Sequence, residues 1–270
     1  MNSIKIAATF CAALMIGAGS HAADQKMTLT GSSTIAPLAL EIAKAFEKKN
    51  PGVRVDVQSG GSSRGVADAR QGTADIGMVS RALNPDEKDL TFFTIAKDGI
   101  CVILNKKNMV KELTDAQVIS IYKGEIKNWK EVGGKDAPIT VVNKAEGRST
   151  LELFLHYYKL KNSEIKASVV VGDNEQGIKT VAGNPNSIGY VSIGTAEFNE
   201  TSGTPIKLLS NNGIQANTEN VKNGKFPLSR VLNLVTKGET TGLKKKFIEF
   251  AQSAEVNELV KQQYFVPATK

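Results

Sequence analysis

Residues 27–63 read MTLTGSSTIAPLALEIAKAFEKKNPGVRVDVQSGGSS, and their order sets the fold class. Met27–Leu29 is a short strand that enters the turn Gly31-Ser32-Ser33-Thr34. A helix is predicted from about Pro37 to Lys49. Leu38, Ile42, Ala45 and Phe46 share one face, and a proline is tolerated in a first helical turn. Asn50-Pro51-Gly52 stops that helix, and Val53, Val55 and Val57 then alternate with Arg54 and Asp56 as a half-buried strand. Ser59-Gly60-Gly61-Ser62-Ser63 follows as a second small-residue turn into a short helix ending at Gly72.

The same rhythm continues outward. Ala74–Val79 is a strand ending at Ser80-Arg81, and Gly99–Asn105 (GICVILN) is an almost wholly apolar strand of the kind buried on both faces of a parallel sheet. Thr114 or Asp115 caps a helix through Tyr122, and strand Ile139–Val142 runs into Glu146-Gly147-Arg148-Ser149-Thr150 and a helix to about Tyr158. Val169–Val171, a helix after Asp173, Ile188–Ile193, strand Val231–Val235 and helices near 243–251 and 254–264 complete the alternation. Strands alternating with helices over this length predict an α/β protein with mainly parallel sheets. No linker-like segment interrupts them, so two domains, if present, are joined by strands that cross more than once.

Residues 1–22 stand apart. Lys5 precedes an apolar run, Ile6 to Gly17, and Ser20-His21-Ala22 offers a small-x-small cleavage site. The run falls short of the ~20 residues a bilayer requires. Cys11 lies inside the run rather than at the cleavage point, which argues against a lipid anchor. The expectation is a signal peptide cleaved near Ala22 and an exported, soluble, periplasmic product. Cleavage removes Lys5, the one charged residue of the segment, and so takes the net charge from +7 to +6. It also removes Cys11 and His21, leaving Cys101 and His156 as the sole thiol and imidazole. An internal disulfide and a multi-histidine metal site are thereby excluded, and no cofactor is expected. The cationic residues are scattered, the longest run being Lys244-Lys245-Lys246, with no aromatic-interleaved basic stripe of the kind nucleic acid requires.

One element recurs three times: a strand, a Gly/Ser/Thr turn, then a helix. The turns are GSST (31–34), GGSS (60–63) and GRST (147–150). A helix start carries amide N–H groups without intrahelical partners and roughly half a positive charge. Glycines admit a ligand to the backbone, and hydroxyls add uncharged donors. Several such ends converging would hold a tetrahedral oxyanion without a metal, with Arg81 and Arg148 adding guanidinium contacts. Ser and Thr are also ordinary helix caps, which is the alternative for each turn alone.

Other chemistries match less well. Gly61-Ser62-Ser63-Arg64-Gly65 has the G-x-S-x-G form of a hydrolase nucleophile elbow, with Ser63 as the nucleophile. Its only histidine partner, His156, lies mid-helix among apolar residues. A Walker A loop fails because Gly134-Lys135 is followed by Asp136.

The stretches LTGSSTIAPL (29–38), GGSSRGV (60–66), ADIGMVSR (74–81), IYKGEIKNWKEVGG (121–134), NKAEGRST (143–150) and IGYVSIG (188–194) lie in one order across most of the chain. With them the chain resembles the periplasmic phosphate-binding proteins of ABC-type phosphate transporters, a type II substrate-binding protein family. The resemblance implies a two-lobed fold that closes on its ligand. Lobe I would comprise 24–102 and 230–270, lobe II 103–229, with GICVILN and Ser229–Val235 as the crossing strands. It implies a non-enzymatic binding protein, monomeric, that delivers inorganic phosphate to the membrane subunits of a permease.

Carried over by position, the phosphate ligands would be Thr34 through its hydroxyl and Ile35 through its amide, with Ser33 beside them. Ser62 would donate from the second turn, and Ser149 and Thr150 from the opposite lobe. The chain departs from the family in two places. Where well-known members place an aspartate that accepts a proton from phosphate, this chain has Ser80-Arg81, and the arginine position before the third turn holds Lys144. The site is therefore expected to be more positive, with Arg81 and Arg148 at the anion. Another tetrahedral oxyanion (sulfate, molybdate, tungstate) stays open as ligand, and Glu146 is a substitute acceptor should it line the cleft.

Overall fold

A computed structural model of the chain describes residues 25–268; the expected signal peptide, residues 1–22, lies outside the described residues. The chain begins with β1 (Gln25–Gly31), α1 (Ala36–Lys49), β2 (Val53–Ser59), α2 (Ser62–Gln71) and β3 (Ile76–Val79). The long strand β4 (Leu90–Asn105) follows, then α3 (Asp115–Tyr122), β5 (Thr140–Lys144) and α4 (Ser149–Tyr158). Next come β6 (Val169–Val171), α5 (Asn174–Gly183), β7 (Ser187–Ser192), α6 (Ile193–Thr201), β8 (Ile206–Leu208) and α7 (Thr218–Lys222). After them stand β9 (Ser229–Lys237), α8 (Gly242–Ala251), α9 (Asn257–Gln262) and β10 (Val266–Pro267).

Local chemistry accounts for the first elements. Helix α1 buries Leu38, Ala39, Ile42, Ala43 and Phe46 and ends where the Asn50 side chain donates to the Phe46 carbonyl at 2.8 Å. In β2, Val53 and Val55 are buried while Arg54 is exposed, as the alternation predicts. Helix α2 stops at Gly72, whose φ of 72° is the left-handed conformation that ends helices.

The strands run in the order β2-β1-β3-β9-β4-β7-β5-β6, with β8 and β10 also paired to β4. β1 is parallel to β2 and β3, and β5 is parallel to β6 and β7. The two parallel groups are joined by β4 and β9, which pair antiparallel from Leu90–Lys237 to Gly99–Ser229. The expectation that GICVILN has parallel neighbours is therefore corrected: it pairs antiparallel with β7 and β8. Its burial on both faces comes from packing against α4, α5, α6 and α7, and strand direction plays no part. β4 also begins at Leu90, nine residues before the apolar run, with a register shift between Thr94 and Ala96 that blurs its alternation.

The interior forms two main hydrophobic cores, one for each lobe. One gathers Met27, Leu29, Ile42, Phe46, Ile76, Leu232, Leu234 and Phe247. The other gathers Ile100–Leu104, Tyr122, Trp129, Phe154, Ile178, Tyr190 and Leu228. β4 leaves the first core at Ala96 and enters the second at Ile100, while β9 passes back between Leu228 and Leu232. Val266 packs with the second core although its neighbour Phe265 belongs to the first. The crossing strands thus put a cleft between the two cores, and the three Gly/hydroxyl turns border it.

Candidate anion-binding cleft

The three turns open α1, α2 and α4, and residues of all three line one small pocket. Ser32, Ser33 and Thr34 contribute from the first turn, Gly61 and Ser62 from the second, and Arg148, Ser149 and Thr150 from the third. Ser80, at the end of β3, completes the lining. Helices α3, α5, α6 and α7 are capped by Thr114, Asp173, Ser192 and Asn217, whose side chains accept from first-turn amides. Helices α1, α2 and α4, like α8 and α9, have no such side-chain cap at their N-cap residue. At the start of α1 the Ser32 hydroxyl accepts from the Thr34 and Ile35 amides at 3.2 and 3.4 Å, while at α2 and α4 the N-cap residue supplies no side-chain cap. The partial positive charge of three helix starts faces one small volume.

Backbone geometry allows this convergence. Gly61 has φ 99° and ψ 158°, a conformation essentially confined to glycine. A Cβ there would lie 2.6 Å from the Gly147 carbonyl oxygen and 2.9 Å from Arg148 Cδ. The second and third turns, from opposite sides of the cleft, therefore touch through a missing side chain. The Ser63 amide donates to the same Gly147 oxygen at 3.2 Å.

A buried arginine sets the polarity of the hydroxyls. Arg230 lies on β9 opposite Asp98 on β4, and both side chains are 1% exposed. The Asp98 carboxylate accepts from Arg230 Nε at 3.0 Å and Nη2 at 2.8 Å, and its other oxygen accepts from the Gly194 amide at 3.1 Å. Held this way, Arg230 donates from Nη2 to Thr34 Oγ1 and from Nη1 to Thr150 Oγ1, both at 3.0 Å. Asn174 Nδ2 also donates to Thr34 Oγ1 at 3.0 Å. With both lone pairs engaged, the Thr34 hydroxyl can act only as a donor, and Thr150 is biased the same way. Arg230 thus turns one threonine from each side of the cleft into a donor toward the cavity.

Hydroxyls also meet directly across the cleft. Ser80 Oγ lies 2.5 Å from Ser149 Oγ and accepts from Ser32 Oγ at 2.9 Å, while the Ser80 amide donates to Ser62 Oγ at 3.1 Å. Behind the third turn, Lys144 is buried with its ammonium donating to the Asp173 carbonyl. Burial pushes that ammonium down to about 7; Asp173 acts against the shift, and the positive charges of Arg148 and Arg230 add to it.

Of the residues expected at the anion, the structure brings together Ser33, Thr34, Ser62, Arg148, Ser149 and Thr150. Ile35 and Arg81 do not line this cavity. The Ile35 amide donates to Ser32 Oγ at 3.4 Å. Arg81 is corrected as an anion contact because its guanidinium is spent on carboxylates: Glu87 takes Nη1 and Nη2, and Glu152 takes Nε, each at 2.7 Å. Burial favours neutral Arg81, yet those two acids hold its pKa above the usual arginine value. Glu146 is exposed and accepts from Asn162 at 3.0 Å, outside the lining. Ser63 Oγ donates to Glu152 at 3.3 Å, and among the described residues no hydrogen bond joins it to His156.

Sequence reasoning missed Ser32, Ser80, Asn174 and the Arg230–Asp98 pair. The signal for Arg230 was its phase: it falls on the same strand face as Leu232 and Leu234, where a charge is out of place unless paired.

The model of the PBP superfamily domain matches residues 17–255. The phosphate-binding protein PstS of Bacillus subtilis (strain 168) is 31% identical over 256 residues, covering 93% of this chain and 83% of that protein. The chain belongs to the PstS family. Two solved structures share this fold. One, from Clostridium perfringens, is described as a phosphate ABC transporter substrate-binding protein with bound phosphate. It has a TM-score of 0.84 at 34% identity, covering 91% of this chain and 100% of that one. The other, an ABC-type phosphate transport receptor from Vibrio cholerae, has a TM-score of 0.73 at 29% identity, covering 89% and 99%. As a PstS-family member the chain is a transport binding protein and not an enzyme, so the Ser63 hydrolase alternative falls. Among the described residues no helix is long and apolar enough to cross a membrane.

Proposed function

We propose that this protein captures inorganic phosphate in the cavity between the three helix starts and delivers it to the membrane subunits of an ABC permease. The observation that carries the proposal is the convergence of three helix N-termini, donor-oriented hydroxyls and Arg148 on a single volume from both sides of a cleft. In this reading Ser33, Thr34, Ser62, Arg148, Ser149 and Thr150 contact the anion, and Arg230 and Asp98 orient the threonines. Residues 24–102 with 230–270 form one lobe and 103–229 the other, a division supported by the change of core at 96–100 and 228–232. The protein acts as a monomer in the periplasm after cleavage near Ala22.

Titration calorimetry with phosphate should show one binding event per chain. A heat-silent titration would overturn the proposal. A second reading, binding of sulfate as well, has a specific observation in its favour: no carboxylate belongs to the cavity lining. Competition between phosphate and sulfate from pH 5 to 9 separates the two. Phosphate capture predicts tighter phosphate binding across that range, whereas equal displacement by sulfate marks a general oxyanion site.

Gly61→Ala tests the contact between turns. The added Cβ meets the Gly147 oxygen, and the backbone conformation costs about 1–3 kcal/mol for a residue other than glycine. The clash between the turns should weaken phosphate binding. The backbone cost applies with or without the anion, so the thermal midpoint without phosphate should fall as well, by about 2–4 °C per kcal/mol. Unchanged affinity in calorimetry would mean that the two turns do not meet when the anion is bound.

A further inference from the structure

The arginine expected at the anion has another partner set, and it spans the cleft. Arg81 follows β3 on the side of the first core; Glu152 sits in the opening turns of α4 on the side of the second. Among the ion pairs of the described residues, Arg81–Glu152 joins the two sides away from the crossing strands, at 2.7 Å from Nε to Oε2. Ser63, from the first side, donates to the other Glu152 oxygen at 3.3 Å.

Three features set this pair apart from an ordinary surface ion pair. First, Arg81 is already fixed: Glu87 holds both terminal nitrogens at 2.7 Å, and both side chains are nearly buried, at 7% and 4% exposure. The entropy cost that cancels most surface pairs is therefore largely absent on the arginine side. Second, Glu152 stands in the same helical turn region as Ser149 and Thr150, so the element that receives the anion also carries the bridge. Third, a carboxylate beside an anion site repels the ligand unless its charge is cancelled, and Arg81 cancels it only when the lobes are together. From this geometry we infer that Glu152 is a positioning residue that latches the lobes shut over the bound anion, with Arg81 as its catch. The latch rests on the phosphate reading for its biological purpose, though its effect on closure does not.

Glu152→Gln keeps the shape and removes the charge. Stopped-flow binding of inorganic phosphate should show the dissociation rate rising on the order of tenfold, as expected for a lost charge-assisted hydrogen bond. The association rate should be unchanged or faster, because a repulsive charge has gone. Ser63→Ala should raise the dissociation rate by a smaller factor. Glu152 is 35% exposed, so the melting midpoint without phosphate should stay close to wild type. Small-angle scattering without added anion gives a readout independent of ligand: the variant should have the larger radius of gyration. Equal radii, or an unchanged dissociation rate in a folded variant, would overturn the latch. A wild-type protein that ignores phosphate would overturn the functional proposal instead, and the scattering comparison would still decide the latch.

Discussion

Thr150→Asp is expected to abolish phosphate binding while the protein stays folded. Thr150 is buried at the start of α4, lines the cavity, and takes a hydrogen bond from Arg230 at 3.0 Å. An aspartate there would put a carboxylate at the same helix start and the same guanidinium that an incoming anion needs. The variant would carry its own anion. Two like charges about 4 Å apart at an effective dielectric near 20 repel by about 4 kcal/mol, enough for roughly a thousandfold loss of affinity. The fold should survive, because an acid in the first turn is favoured by the helix dipole and Arg230 stands ready to pair with it. Calorimetry with phosphate reads the first effect and a thermal melt the second. Thr150→Ser, which keeps the donor, should retain binding; an aspartate variant that still binds phosphate would remove this cavity from consideration.

Arg230→Met should lose both binding and stability. Without the guanidinium, Thr34 and Thr150 are free to rotate their hydroxyls away from the cavity. The Asp98 carboxylate, 1% exposed, keeps only the Gly194 amide as a recorded partner. Breaking a buried ion pair by removing one member costs about 3–5 kcal/mol, because a charge is left stranded. Adding Asp98→Asn to the same chain removes that stranded charge and leaves an amide oxygen for Gly194. Denaturant melts should therefore recover much of the lost stability in the double variant. Phosphate binding should not return with it, since the threonines remain unoriented. Recovery of both together would show that Arg230 serves the fold alone.

The alternation of strands and helices was legible because it is written in local periodicity. Val53, Val55 and Arg54 sort themselves by face, and Gly72 ends α2 by its own backbone preference. The three turns were legible as well, since glycine beside serine or threonine ahead of a helix is a short-range pattern. Arg81 reads as an anion contact on local grounds, a guanidinium at the family's acid position, until its own acids are found. Glu87 lies only six residues away, but Glu152 is 71 positions distant, and no local signal connects them.

By itself the sequence determined an α/β chain with three hydroxyl-bearing helix starts, because propensity and periodicity act over a few residues. Only the tertiary structure decided that these starts share one cavity and that Arg230, paired with Asp98 across 132 positions, directs their hydroxyls. It also turned Arg81 from the anion to the opposite lobe. The physical reason is that burial, not residue type, sets what a charge must pair with, and burial is created by the crossing strands that bring distant segments together.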